Sequence, residues 1–175
     1  MSNNYLRETY DRYSKETKEL LKKYKNSASV PIIKIAHDLG LKIFMAKDLP
    51  DKFCGALRKE GEDFVIYVNK DHCEERKKFT IAHEIAHFLE HKELIASNDY
   101  ATLNRQKLKD EEGDEVINEK EVEANKLASI LLMPKKKFKD VWEKANSIEE
   151  VASEFEVSVS AATLRGDKLL REMII

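Results

Sequence analysis

The sequence predicts an α+β fold, mostly helical, with a small three-stranded antiparallel sheet and a C-terminal helix-turn-helix-like pair. Three observations carry this. Apolar residues recur at helical spacing over most of the chain, punctuated by stop signals such as Gly40 and Pro134. A block between residues 41 and 68 instead holds three short strand-like stretches. The last segment, from Ser147, contains two short amphipathic stretches joined at Val157-Ser158.

Residues 4–25 read as one helix. Leu6, Tyr10, Tyr13, Thr17, Leu20 and Tyr24 step by four and three, so they share a stripe. That stripe either packs on the body of the chain or forms a coiled-coil arm. A shorter helix follows, capped by Ser29, with Pro31 in its first turn and Gly40 at its end. Ile32, Ile35, Ala36 and Leu39 form its buried side. The strands are expected at 41–46, 53–58 and 63–68, the last two flanking the turn Lys59-Glu60-Gly61-Glu62 as a hairpin.

Asp71 with Glu74 makes a capping box, opening a helix that should run to about His91. Residues 95–113 are polar and weakly periodic, and read mostly as a mobile loop. A strongly apolar helix is expected from about 115 to 133, where Pro134 stops it. Lys135-Lys136-Lys137 begins a short helix carrying Phe138, Val141 and Trp142. Ser147 with Glu150 is another capping box, and Val151, Ala152 and Phe155 line the helix it opens. The expected organisation is an N-terminal helix over 1–28, a central domain over 29–146 and a helix-turn-helix-like subdomain over 147–175.

Apolar residues make up 42% of the 175, enough for a packed core. The 31 basic and 33 acidic residues nearly cancel, so no net charge draws the chain to nucleic acid or anionic membrane. No apolar run is long enough to span a bilayer, and the first twenty residues lack the apolar stretch of a secretory signal. Cys54 and Cys73 are too few for a disulfide framework. A soluble cytoplasmic protein without membrane association is expected.

The informative stretch is Thr80-Ile81-Ala82-His83-Glu84-Ile85-Ala86-His87-Phe88, of the form HExxH. Histidines four residues apart lie on one helix face, ~6 Å apart along the axis, and can converge on one zinc ion. Glu84 is turned by about 100° from His83. Its carboxylate therefore falls beside the metal, where it can act as base toward water. The alternative is two surface histidines on an amphipathic helix. Against it stand Ile81, Ala82, Ile85, Ala86, Phe88 and Leu89: a helix so apolar is buried, and buried His, Glu and His need a reason.

A catalytic zinc usually has three protein ligands. His91 lies ~12 Å along the helix from His83, too far to share its ion, and His72 is about three turns before it. Glu90 and Glu93 exclude the longer HExxHxxGxxH pattern. Spacing does not exclude His37, and Cys73 reads as a buried thiol. The remaining source is a carboxylate from Glu119, Glu121 or Glu123. Glu123 directly precedes the apolar run Leu127, Ala128, Ile130, Leu131 and Leu132, so it is the acid expected to enter the core. Glu119 lies one turn earlier on the same side, and Glu121 is expected to point elsewhere.

Several blocks in order resemble the ImmA/IrrE family of zinc metallo-endopeptidases. They are Pro31-Ile32…Ile35-Ala36…Leu39-Gly40, the Gly55 hairpin ending Ile66-Tyr67-Val68-Asn69, and Arg76…Phe79-Thr80-Ile81-Ala82-His83-Glu84-Ile85-Ala86-His87…His91. The last is Glu121…Glu123-Ala124-Asn125…Leu127-Ala128…Leu131-Leu132-Met133-Pro134. The resemblance implies a zincin-like domain with His83, His87 and Glu123 as ligands of Zn2+ and Glu84 as catalytic base. The family often has Phe-Ala after its EAN block, where this chain has Leu127-Ala128. It also implies a target class: a protein substrate of the helix-turn-helix repressor type, cleaved to relieve repression of a mobile element or stress response.

Two other functions compete. One is a DNA-binding regulatory module, because Val151-Ala152…Phe155-Glu156-Val157-Ser158…Ala162…Arg165 resembles a helix-turn-helix. It has Glu156 where the turn prefers Gly, and its second helix offers only Arg165, Lys168 and Arg171 as cations. The acids Glu149, Glu150, Glu154 and Glu156 would repel phosphates. This tail is therefore expected to dock the protein substrate and not nucleic acid. The other competitor is a zincin scaffold that binds a regulator without cutting it.

Overall fold

The structure, a computed structural model, describes residues 12–96, 108–109, 115–116 and 119–174. Leu6 and Tyr10 of the expected N-terminal stripe, and most of the expected 95–113 loop, lie outside the described residues. The fold is α+β and mostly helical, with one small three-stranded sheet. By their contacts the residues form two compact units, 31–128 in one and 1–30 with 129–175 in the other. The division falls inside a helix, not at residue 146.

In the first unit, α2 (Ile32–Asp38) buries Ile32, Ile35 and Ala36. Its N-cap is Pro31 with no side-chain cap bond, so Ser29 does not cap it. Gly40 ends the segment at φ +77°, where its N–H donates to the His37 carbonyl and a side chain would be strained. Strands β1 (Leu41–Ala46), β2 (Gly55–Glu60) and β3 (Asp63–Asn69) follow. The hairpin turn is only Gly61-Glu62, and Gly61 at φ +60° supplies the left-handed first position of a two-residue turn.

The sheet order is β1-β3-β2. β2 and β3 are antiparallel, but β1 runs parallel to β3, with Leu41 opposite Phe64 and Ala46 opposite Asn69. The expected all-antiparallel sheet is thus corrected to a mixed one. The cause is the connection 47–54. It arches over the end of β3, so that β1 and β2 lie on opposite sides of that strand. Asn69, buried at the end of β3, holds the arch: its Nδ2 donates to Phe53 O at 3.0 Å and to Pro50 O at 3.4 Å. Buried His72 adds a contact from Nε2 to Asp51 O at 2.9 Å.

The central helix α3 (Glu74–Ala96) starts after Cys73. Asp71 does not cap it; the Asp71 N–H instead donates to Asn69 Oδ1. The expected end at His91 corresponds to a break, φ −131° and ψ 20°, after which helix resumes to Ala96. Ile81, Ala82, Ile85, Ala86 and Phe88 are buried. Gly55 brings β2 hard against α3: a Cβ there would stand 2.3 Å from Thr80 Cγ2 and 2.6 Å from Tyr67 O. Cys73, expected to be a buried thiol, is exposed. The two-residue strands β4 (Leu108–Lys109) and β5 (Glu115–Val116) pair antiparallel, so the next helix, α4 (Glu119–Leu132), begins four residues later than expected.

The second unit holds α1 (Lys15–Tyr24), α5 (Lys135–Trp142), α6 (Ile148–Phe155) and α7 (Val159–Ile174). Tyr13 and Thr17 of the expected N-terminal stripe are buried, but Leu20 and Tyr24 are half-buried and Leu21 takes the buried position instead. Ser147 caps α6, accepting from Glu150 N, while Glu150 Oε2 accepts from Asn146 N. Glu156 at the turn takes the left-handed conformation, φ 54° and ψ 47°. Gly166 lets α7 approach Trp142, whose ring would lie 2.7 Å from a Cβ at that position.

Candidate metal centre

The described part of α3 and the start of α4 bring three side chains to one point. His83 and His87 project from successive turns of α3, and their Nε2 atoms are 2.9 Å apart. Glu121, in the first turn of α4, places Oε2 3.2 Å from His83 Nε2 and Oε1 3.1 Å from His87 Nε2. Among the described residues this is the group whose ligand atoms cluster tightly enough to hold a metal ion.

Glu123, expected as the third ligand, does not join them. Its Oε2 lies 3.6 Å from His91 Nε2. The reason lies in the helical wheel of α4. Ala124, Leu127, Ala128 and Leu131 are buried and form one stripe. At about 100° per residue, Glu121 and Glu123 flank that stripe on opposite sides, with exposed Val122 between them on the outer face. The apolar run defines the stripe, but only the packing of α4 decides which flank meets the histidine pair. Of the other candidates, Glu119 and His37 are exposed and outside the group.

The histidine rings are held from behind. Asn125, one turn after Glu121, places Oδ1 3.0 Å from His83 Nδ1. An Asn125 Oδ1 that accepts from His83 Nδ1–H would free Nε2 to bind a metal ion in place of its contact with Glu121. His87 is fully buried, and its Nδ1 lies 3.4 Å from His91 Nδ1. Sequence reasoning missed Asn125 as a partner of His83. Its place one turn after Glu121, on the same flank of the stripe, was the available signal.

The electrostatics suit a cation. Burial pushes His87 down to about 4, so it is neutral near pH 7 and can act as a ligand. Burial also lowers His83, but the Glu121 hydrogen bond and the charges of Glu84 and Glu121 outweigh it and raise the pKa above 6.5. Burial acts upward on Glu121, yet its hydrogen bonds to both histidines hold it down at about 2, so it is a carboxylate. Two imidazoles and a carboxylate form a donor set suited to zinc, whose tetrahedral ligands sit roughly 3.4 Å apart. The observed 2.9–3.2 Å needs only a slight opening to admit the ion.

This group opens on a cavity of about 560 Å³. Phe53, Cys54 and Gly55 from the arch and β2 form one wall, Phe79 and Thr80 another, and Glu84 lines it with His83 and Glu121. Glu84 is itself buried, one residue on from His83. Arg76 at the rim contacts Cys54 Sγ and the Asp51 carbonyl, each at 3.4 Å.

Residues 55–165, more than half of the chain, match the peptidase M78 family, described as an IrrE N-terminal-like domain. The chain belongs to that family, which points to a metallopeptidase. No curated protein matches it by sequence. Among solved structures, a Mycobacterium tuberculosis transcriptional regulator is similar, with a TM-score of 0.56 at 16% identity. That similarity covers 94% of this chain and 61% of the regulator, so the chain spans about three fifths of its length. At this identity the likeness is one of fold. No helix among the described residues is long and apolar enough to cross a membrane.

Proposed function

We propose that this chain is a zinc-dependent endopeptidase acting on a protein substrate, with His83, His87 and Glu121 as metal ligands and Glu84 as catalytic base. One observation carries the reading: three ligand atoms from two helices converge at a cavity that the buried Glu84 also lines. A zinc ion held there supplies Lewis-acid polarisation of a carbonyl and a lowered pKa for water. Glu84 takes the proton of the attacking water and delivers it to the leaving amine. Among the described residues no strand pairs with the outer edge of β2 in the sheet order β1-β3-β2, and its first residue, Gly55, lines the cavity. A substrate segment adding to that edge would run past the histidines.

The substrate class rests on the ImmA/IrrE resemblance: a helix-turn-helix repressor whose cleavage relieves repression in the cytoplasm. Co-expression with the repressor encoded beside the gene tests it. Specific fragments with the wild type and intact repressor with Glu84→Gln are expected. Intact repressor in both would leave the non-cutting scaffold as the better reading.

A further inference from the structure

We propose that Arg76 and Lys52 form a subsite for an acidic side chain of the substrate, about two to three residues from the bond that is cut; this rests on the endopeptidase reading above and deepens it. The charges along the cavity are divided between its ends. Among the described residues that line it, the acids are Glu84 and Glu121, and both stand at the histidine end. Arg76 and Lys52 line the other end. Arg76 Nη2 donates to the Asp51 carbonyl and to Cys54 Sγ, each at 3.4 Å, and those two residues bracket Lys52 in the arch. A zinc ion held by the histidines would offset both glutamates, which leaves the two cations to set the sign of the far end.

Helix geometry sets the distance between the two ends. Arg76 precedes His83 by seven residues, about 10 Å along α3 and within ~20° of the same face. Strand β2 advances in the same sense, because Cys54 meets Arg76 and Gly55 abuts Thr80 one turn on. A substrate segment laid on the outer edge of β2 therefore passes both the guanidinium and the histidines. An extended chain advances ~3.3 Å per residue, so about three residues span the interval, and the reach of the arginine covers a shorter one. The guanidinium is placed to receive a carboxylate there. Its ion pair with Asp51 Oδ1 is 3.8 Å long, and the Asp51 side chain is 92% exposed, so that pair contributes little and is easily displaced. A carboxylate inside the cavity, between the walls of Phe53 and Phe79, is better shielded from water and can take two parallel N–H bonds from the arginine fork.

The test is the cleavage of a peptide library, prepared from a digested proteome, by the zinc-loaded full chain and its variants. Mass spectrometry identifies each new terminus, and zinc content and urea midpoint are measured on the same preparations. The wild type should enrich Asp and Glu at one position close to the cut. Two matched peptides with Glu or Gln at that position should differ about 10-fold in kcat/KM, the worth of one charge-assisted hydrogen bond. Arg76→Gln should erase the preference, and Arg76→Lys should keep it in weaker form. Arg76→Glu should turn it toward Lys and Arg at the same position, a reversal that looser packing of the arch cannot produce. Lys52→Glu, at an exposed position, should lower the preference several-fold and covers the case in which the Arg76 variants fail to fold. Cutting by the wild type without an acidic preference would overturn the subsite and leave the endopeptidase reading standing. An unchanged preference in Arg76→Gln or in Lys52→Glu would do the same. A zinc-loaded wild type that cuts no peptide would instead remove the endopeptidase reading, and the subsite with it.

Discussion

Glu121 places one carboxylate oxygen 3.1 Å from His87 Nε2, and Glu123, two residues on, meets His91 instead. This relationship separates two acids that the sequence sets side by side. Glu121→Gln should reduce bound zinc well below one per chain at micromolar protein, because two histidines alone hold the ion poorly. Glu119→Gln and Glu123→Gln should both leave it near one per chain. Metal analysis of the three purified variants decides it. Full zinc in Glu121→Gln with none in Glu123→Gln would reverse the assignment.

Glu84→Gln should separate chemistry from binding. Gln nearly matches Glu in shape, so the buried position can still be filled, and zinc content and urea midpoint should change little. Cleavage should fall at least about 100-fold, the usual worth of a positioned base. The comparison needs metal content and rate on the same preparation. A substantial residual rate would assign the base to another group.

Zinc affinity should fall as pH falls, in a way the two histidines make specific. A proton on a ligand ring must leave before the metal binds. His83 has its pKa raised, so below that value each zinc displaces a proton from it. His87 is held down at about 4 and Glu121 at about 2, so neither contributes a proton near pH 6. The logarithm of Kd should therefore rise by about one per pH unit between pH 6 and 5, not two. Chelator competition across that range measures the slope, and a slope near two would mean that both rings bind protons.

Much of the site was legible before the structure because the HExxH spacing is a property of one helix. Four residues are one turn, whatever the helix packs against. The placement of Glu84 and both histidines on one helix followed from that alone, and the ends of strand β1 match the 41–46 expected from its own strand-like pattern. What failed depended on relations between elements. The parallel pairing of β1 follows from an arch over β3 that Asn69 pins, and no alternation of apolar residues encodes it. The choice between Glu121 and Glu123 depends on how α4 packs, because both flank its buried stripe. His91, set aside as a ligand by its axial distance from His83, stands one turn beyond His87, and the two Nδ1 atoms are 3.4 Å apart.

Gly55→Ala should destabilise the fold. The new Cβ would meet the Tyr67 carbonyl at 2.6 Å and Thr80 Cγ2 at 2.3 Å, and a backbone atom cannot swing aside as a long side chain can. Overpacking of this kind costs about 1–3 kcal/mol. Urea unfolding of the variant measures it. Thr80→Ser removes the methyl group, so the double variant should recover part of the loss. A wild-type midpoint in Gly55→Ala would mean that β2 and α3 are not in such close contact.

The C-terminal pair should bind protein and not duplex DNA. Its turn has the helix-turn-helix form, with Glu156 left-handed where glycine is usual. Its charges are wrong for phosphate. Arg165 is buried, and its Nε donates to the Met133 carbonyl at 3.1 Å, so this cation is committed to the core. Glu149, Glu150, Glu154 and Glu156 are all exposed on α6 and the turn. Besides Ser160, Thr163, Asp167 and Lys168, α7 exposes apolar Val159, Leu170 and, at 70% exposure, Leu164. DNA binding driven by phosphate contacts weakens steeply with salt. No sequence-selective shift of an operator fragment at moderate salt is therefore expected. Removing the whole tail would pull Phe155 from its stack on Phe138, so a surface change is the cleaner probe. Leu164→Glu should slow cleavage of a repressor substrate several-fold while zinc content and urea midpoint stay at wild-type values. Tight, salt-sensitive, sequence-selective DNA binding by the unmodified chain would overturn this and favour a regulator that reads DNA directly.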